Sequence, residues 1–147
     1  MEIYTNQMKV ILEGKSENEA LARMIASAFL VQFDPTVEEM DDVKTAVSEG
    51  VTNAVIHGYE TKAGMVTLEF CRKENELTIM ISDEGKGIEN VEAAMQPMYT
   101  SKPEMERSGM GFTFMEAFMD ELEVKSKPGE GTRVTMRKSF HSLRNQV

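Results

Sequence analysis

The sequence predicts an α+β fold: a two-layer sandwich with helices on one face of a mixed, mostly antiparallel sheet. The prediction rests on the order of its periodic segments. Two stretches with helical apolar spacing stand together near the N-terminus, a pair of alternating stretches follows, and a second alternating pair ends the chain. With 147 residues and 41% apolar content, the chain has the size of one domain built on one continuous core. Residues 1–140 are assigned to that domain, and residues 141–147, with His141 and Arg144, to a frayed tail.

Residues 7–12 alternate as a first strand. Ser16 and Glu19 then form an S-x-x-E capping box that opens a helix running to about Gln32, with Leu21, Met24, Ile25, Ala28 and Phe29 on its inner face and Arg23 off it. Asp34-Pro35 stops this helix. Thr36 and Glu39 repeat the capping box and open a longer one, with Val43, Val47, Val51 and Ala54 turned inward and Gly58 as its terminator. Val66, Leu68 and Phe70, then Leu77, Ile79 and Ile81 beyond the polar turn 73–76, read as an antiparallel strand pair. Residues 97–108 are polar, contain Pro97 and Pro103, and follow neither period, which marks a loop long enough to be a lid. A helix over residues 112–120 follows. Strands at 122–127 and 132–138 flank the turn Pro128-Gly129-Glu130-Gly131.

Composition narrows the function. A net charge of −9 repels nucleic acid phosphates and anionic lipid, so neither is an expected partner. No apolar run approaches the roughly 20 residues of a membrane span, and the N-terminus lacks the basic and apolar regions of a signal peptide. Cys71 is the only cysteine, so no internal disulfide forms. A cytoplasmic location is expected. The 13 methionines read as irregular core filler rather than as an adaptable surface.

Three segments carry candidate chemistry. On the longer helix Glu49, Asn53 and His57 are spaced i, i+4, i+8, with Glu49 about 200° around the axis from core residue Val47. Such a stripe is usually a solvated face. Here it is set among Gly50, Val51, Ala54, Val55 and Ile56, and an Asn oxygen is a hard ligand for Mg²⁺ while a neighbouring carboxylate can take a proton. Asp83-Glu84-Gly85-Lys86-Gly87 follows an apolar strand, where a carboxylate can accept from the exocyclic amine of adenine and Gly85 and Gly87 allow close backbone approach; it is equally an ordinary D-x-G-x-G turn. Ser108-Gly109-Met110-Gly111 precedes a helix N-terminus, a place for phosphate, with Arg107 and Lys102 adding local positive charge. Thr132, after Gly131, offers a hydroxyl beside Asp83.

Other nucleotide and hydrolase signatures fail. Gly14-Lys15-Ser16 imitates the end of a P-loop, but Lys9 stands where that motif requires glycine. The protein-kinase HRD and DFG motifs, zinc-type His/Cys clusters and a G-x-S-x-G elbow are absent.

Taken in order, E-x-x-x-N at 49–53, D-x-G-x-G at 83–87, the polar lid, G-x-G at 109–111 and Gly131-Thr132 resemble the ATP-binding domain shared by gyrase, Hsp90, sensor histidine kinases and MutL. NEALAR (18–23), SEGVTNAVIHGYE (48–60) and YTSKPEMERSGMGF (99–112) resemble more closely the small serine kinases that act as anti-sigma F factors in spore-forming bacteria. The resemblance implies a Bergerat-type fold, ATP/ADP and Mg²⁺ as cofactors, and a serine kinase that modifies an anti-anti-sigma factor and inhibits sigma factor F. By it Asn53 binds Mg²⁺, Glu49 takes the serine proton, and Asp83 reads adenine with help from Thr132. Thr100, Ser101, Arg107, Ser108, Gly109, Met110 and Gly111 hold the phosphates and ribose. His57 supports the site, and Arg23 contacts the partners. A homodimer through the sheet edge or first helix is expected. Two alternatives share this site: the related kinase of a stress-response sigma factor, and a nucleotide-gated sigma-binding module whose catalysis is incidental.

Overall fold

A computed structural model describes residues 3–59, 64–96 and 111–141, without the side chains of residues 57–59. The elements run β1 (Asn6–Glu13), α1 (Asn18–Leu30), a 3₁₀ turn (Val31–Phe33), α2 (Val37–Asn53), a π-helical turn (Ala54–Tyr59), β2 (Met65–Lys73), β3 (Glu76–Asp83), α3 (Val91–Ala94), α4 (Gly111–Phe118), β4 (Glu121–Lys127) and β5 (Gly131–Ser139). The strands form one sheet in the order β1-β2-β3-β5-β4. Every pairing in it is antiparallel, so the sheet has no parallel component.

Alternation along the strands gives the sheet one apolar face. Val66, Leu68 and Phe70 of β2, Leu77, Ile79 and Ile81 of β3, and Val134 and Met136 of β5 are buried against the helices. Burying each such side chain contributes about 1.5–3 kcal/mol, which makes this face the main source of stability. Away from the candidate site the core is aromatic: Phe29 lies 5.6 Å from Phe70, Phe33 stacks on Phe140 at 4.7 Å, and the Arg72 guanidinium covers Phe33 at 5.2 Å.

The second capping box forms as expected. Thr36 Oγ1 accepts from the Glu39 N–H at 3.0 Å, and the Glu39 carboxylate accepts from the Thr36 N–H at 2.8 Å. The first does not form. The N-cap position of α1 makes no side-chain bond, and the Glu19 carboxylate instead accepts from Ser48 Oγ of α2. A tertiary partner has taken the side chain that the local motif needed.

The inner face of α1 also differs from the expected one. Ala22, Ala26, Phe29 and Leu30 are buried, whereas Leu21 and Met24 are 46% and 67% exposed. The helix is turned by about one residue, roughly 100°, from the orientation its largest side chains predict. Ala22 and Ala26 let it lie close to α2, and Phe29 and Leu30 fill the space beyond them. On α2, Val43, Val47, Val51 and Ala54 are all buried as expected. Gly58 does not end that helix, because the chain keeps winding as a π turn to Tyr59. The short α3, capped by Asn90 Oδ1 on the Ala93 N–H at 3.0 Å, has no counterpart in the sequence reading. Residues 142–147 and the expected lid, 97–108, lie outside the described residues. Among the described residues no helix is long and apolar enough to cross a membrane.

Candidate nucleotide site

Gly50 seats the helix that carries Glu49 and Asn53. It is buried against β3 and α4, and a Cβ there would run into the Ile81 side chain and reach Met115 Sδ at 3.7 Å. With Gly50 and Val51 buried, Glu49 and Asn53 are each half-buried, one helical turn apart. A fully solvated stripe would leave both exposed. The amide oxygen of Asn53 is a hard donor in a partly dehydrated position, which suits Mg²⁺ held jointly with phosphate oxygens. His57 falls on the π turn, and its side chain is outside the described set.

Asp83 ends β3 and is only 8% exposed. It stands between Val66 of β2 and Thr132 of β5 in the sheet register, so its carboxylate and the Thr132 hydroxyl lie on the same, helix-facing side. Burial pushes its pKa above the usual carboxylate value, while N–H donors from Gly85, at 2.9 Å, and Thr132 pull it back in part. Because the folded state holds this proton more tightly than the unfolded chain, the ionised side chain costs stability. The cost is absent well below pH 3.8, grows as pH rises from there, and is complete above the raised pKa.

Asp83→Asn should therefore compare more favourably with the parent protein in thermal melting at pH 7 than near pH 4 without nucleotide. The same change should weaken ATP binding about ten- to a hundredfold, since one amide oxygen cannot serve two backbone N–H groups and a base amine. Calorimetric titration and melting at the two pH values check both halves. A melting difference of the opposite sign would contradict the burial argument.

The loop after Asp83 is held against the β4–β5 hairpin. Gly129 N–H donates to the Lys86 carbonyl at 2.6 Å, and Ile88 N–H donates to Ser126 Oγ at 2.8 Å. Gly87 adopts φ +77°, and a Cβ there would collide with the Lys127 carbonyl and stand 3.2 Å from Pro128 Cα. Gly131, at φ +85°, is equally close to the backbone of Asp83 and Glu84. Beside this junction a cavity of about 590 Å³ is lined by Asp83, Val91, Val124, Ser126 and Thr132, among others. That size suits a nucleotide base with its sugar.

Asp83, Gly85, Gly87 and Thr132 thus come together, and α2 brings Glu49 and Asn53 to the same helix-covered face of the sheet. Gly111 is buried as the first residue of α4. Thr100, Ser101, Lys102, Arg107, Ser108, Gly109 and Met110 lie outside the described residues. Arg23 is exposed on α1, apart from the pocket. The sequence reading passed over Ser126, Ile88 and Val91. A serine in a strand has no motif to announce it, and only its alternation with Leu122 and Val124 places it on the inner face.

A family model described as the histidine kinase-like ATPase domain matches residues 12–138. The anti-sigma F factor of Clostridium kluyveri is 57% identical over 96% of this chain and 99% of its own length. Those of Clostridium acetobutylicum and a Thermoanaerobacter species are each 56% identical, over 92% and 95% of this chain and 94% and 97% of their own. The crystal structure of the RsbU and RsbW domains of a Mycobacterium tuberculosis protein matches with a TM-score of 0.65 and 19% identity, which supports the fold. That match covers 92% of this chain, which spans about a third (32%) of the matched one. A pocket bounded by Asp83 and Thr132, on a sheet whose covering helix presents Glu49 and Asn53, accords with these matches: the chain belongs to the anti-sigma F factor family, built on the histidine kinase-like ATPase domain.

Proposed function

We propose that the chain is an ATP-dependent protein serine kinase that phosphorylates an anti-anti-sigma factor and binds and inhibits sigma factor F, acting in the cytoplasm as a homodimer. The observation that carries the kinase reading is the half-buried pair Glu49 and Asn53, one helical turn apart on the helix whose Gly50 packs against Ile81, two residues before Asp83. Asp83 and Thr132 receive the adenine edge, and Asn53 holds Mg²⁺, which supplies charge neutralisation for the phosphates. Gly109 to Gly111, with Thr100, Ser101, Ser108 and Arg107, are assigned to binding the phosphates and ribose. The partner serine oxygen attacks the γ-phosphorus, the bond to the ADP oxygen breaks, and the serine proton passes to the Glu49 carboxylate. Sigma factor F is favoured over a stress-response sigma factor because the relatives carry that name. For the dimer, β1 is a sheet edge and α1 exposes Leu21 and Met24. Arg23, on the same helix, is assigned to partner contact.

A second reading, nucleotide-gated binding with incidental catalysis, is favoured by one bond. Ser48, next to Glu49, donates to Glu19 of α1, four residues before Arg23, and so ties the nucleotide helix to the helix assigned to partners. Incubation with ATP labelled at the γ-phosphate, the anti-anti-sigma factor and sigma factor F separates the two. Label on a partner serine is the expected result. Sigma retention that depends on ATP without label supports gating alone, and the absence of both overturns both readings.

A further inference from the structure

Ser126 has more hydrogen-bond partners than its one proton can serve, and this settles the direction of a neighbouring hydroxyl. Its Oγ accepts from the Ile88 N–H at 2.8 Å, lies 2.9 Å from the Gly131 carbonyl, and lies 2.8 Å from Thr132 Oγ1. The Ile88 nitrogen can only donate and the Gly131 oxygen can only accept. The Ser126 proton therefore goes to Gly131, and the remaining contact is made only if Thr132 donates its own proton to Ser126.

Resting on the reading of this cavity as a nucleotide site, we infer that Ser126 engages the Thr132 hydroxyl proton, so that Thr132 meets a base as a hydrogen-bond acceptor. Ser126 is then a positioning residue for specificity. Thr132 and the carboxylate of Asp83, opposite each other in the register, form a wall of acceptors. Such a wall takes the two N–H groups of a 6-amino purine. A 6-oxo purine would set its carbonyl oxygen against that wall, and its N1–H can serve only one of the two acceptors, leaving the other buried and unpaired.

The test is direct calorimetric binding of ATP and ITP, whose bases differ in the 6-amino group with N1 as acceptor against the 6-oxo group with an N1–H, to the full chain, Ser126→Ala and Ser126→Thr. Removing the Ser126 hydroxyl frees the Thr132 proton to turn toward a 6-oxo group, so the preference for ATP over ITP should fall about tenfold. Ser126→Thr, which keeps a hydroxyl, should restore the parent preference. A merely structural serine would weaken both nucleotides alike, and an unchanged ratio in Ser126→Ala overturns the inference while leaving the site reading intact. Failure of the parent chain to bind ATP overturns both. Should Ser126→Ala not fold, as judged by melting, Thr132→Val gives an independent answer. Loss of an acceptor there lowers the ATP preference, whereas a preference that rises or stays the same overturns the inference.

Discussion

Replacing Glu49 with alanine is expected to slow phosphoryl transfer to the partner serine by about a hundredfold to ten-thousandfold, the usual range for loss of a positioned proton acceptor. Affinity for ATP should change by less than about threefold, because the side chain is assigned to the serine proton and not to the nucleotide. The neighbours of Glu49 that seat the helix are not altered by the substitution. Gly50, which seats the helix, and Val51, which fills the core, are untouched, and the Ser48 bond to Glu19 remains. Single-turnover transfer from labelled ATP, read beside a nucleotide titration, checks both parts. Transfer at the parent rate would remove Glu49 from the role of base, and a parallel loss of ATP affinity would move it into the binding site.

Gly131→Ala should destabilise the protein by about 3–5 kcal/mol, close to the upper limit for a single substitution. Two costs combine. The residue holds φ +85°, where a side chain is strained, and its new Cβ would press into the backbone of Asp83 and Glu84, with Glu84 Cα at 2.8 Å. Backbone cannot step aside as a flexible side chain could. Gly129, two residues earlier in the same turn, is the control. It has φ +79° but nothing within 4 Å of the added carbon, so Gly129→Ala should cost only the strain, about 1–2 kcal/mol. Thermal or urea unfolding of both variants measures the difference, which isolates the contact between the hairpin and the Asp83 loop. Equal losses would refute that contact.

What could be read from the chain beforehand depended on whether a side chain's chemistry or only its packing decided its place. The places of Asp83, Gly87 and Gly131 in the fold were legible because a carboxylate and glycines after an apolar run mark a strand end and turns. The capping box of Thr36 and Glu39 was legible because both partners are local. The similar box at Ser16 failed because Glu19 had a better partner 29 residues away, which spacing cannot reveal. The α1 face was misjudged for a related reason. Apolar residues lie on both sides of that helix, and close packing selected the side with the smaller Ala22 and Ala26 over the one with Leu21 and Met24. Ser126 was invisible because its importance lies in three partners, Ile88, Gly131 and Thr132, that only the fold assembles around it.

The π turn at Ala54–Tyr59 gives the nucleotide helix a tolerance of a different kind. A π turn is what an α-helix becomes when it takes in one surplus residue, and it begins immediately after Asn53. Surplus length is therefore absorbed downstream of Glu49 and Asn53, and neither residue is rotated away from the sheet. In genetic terms, codons 54–59 form a stretch where a one-codon deletion can be taken up by a return to ordinary α winding. The same deletion between Thr36 and Glu49 would turn the site-bearing end of the helix by about 100° and separate its chemistry from its packing.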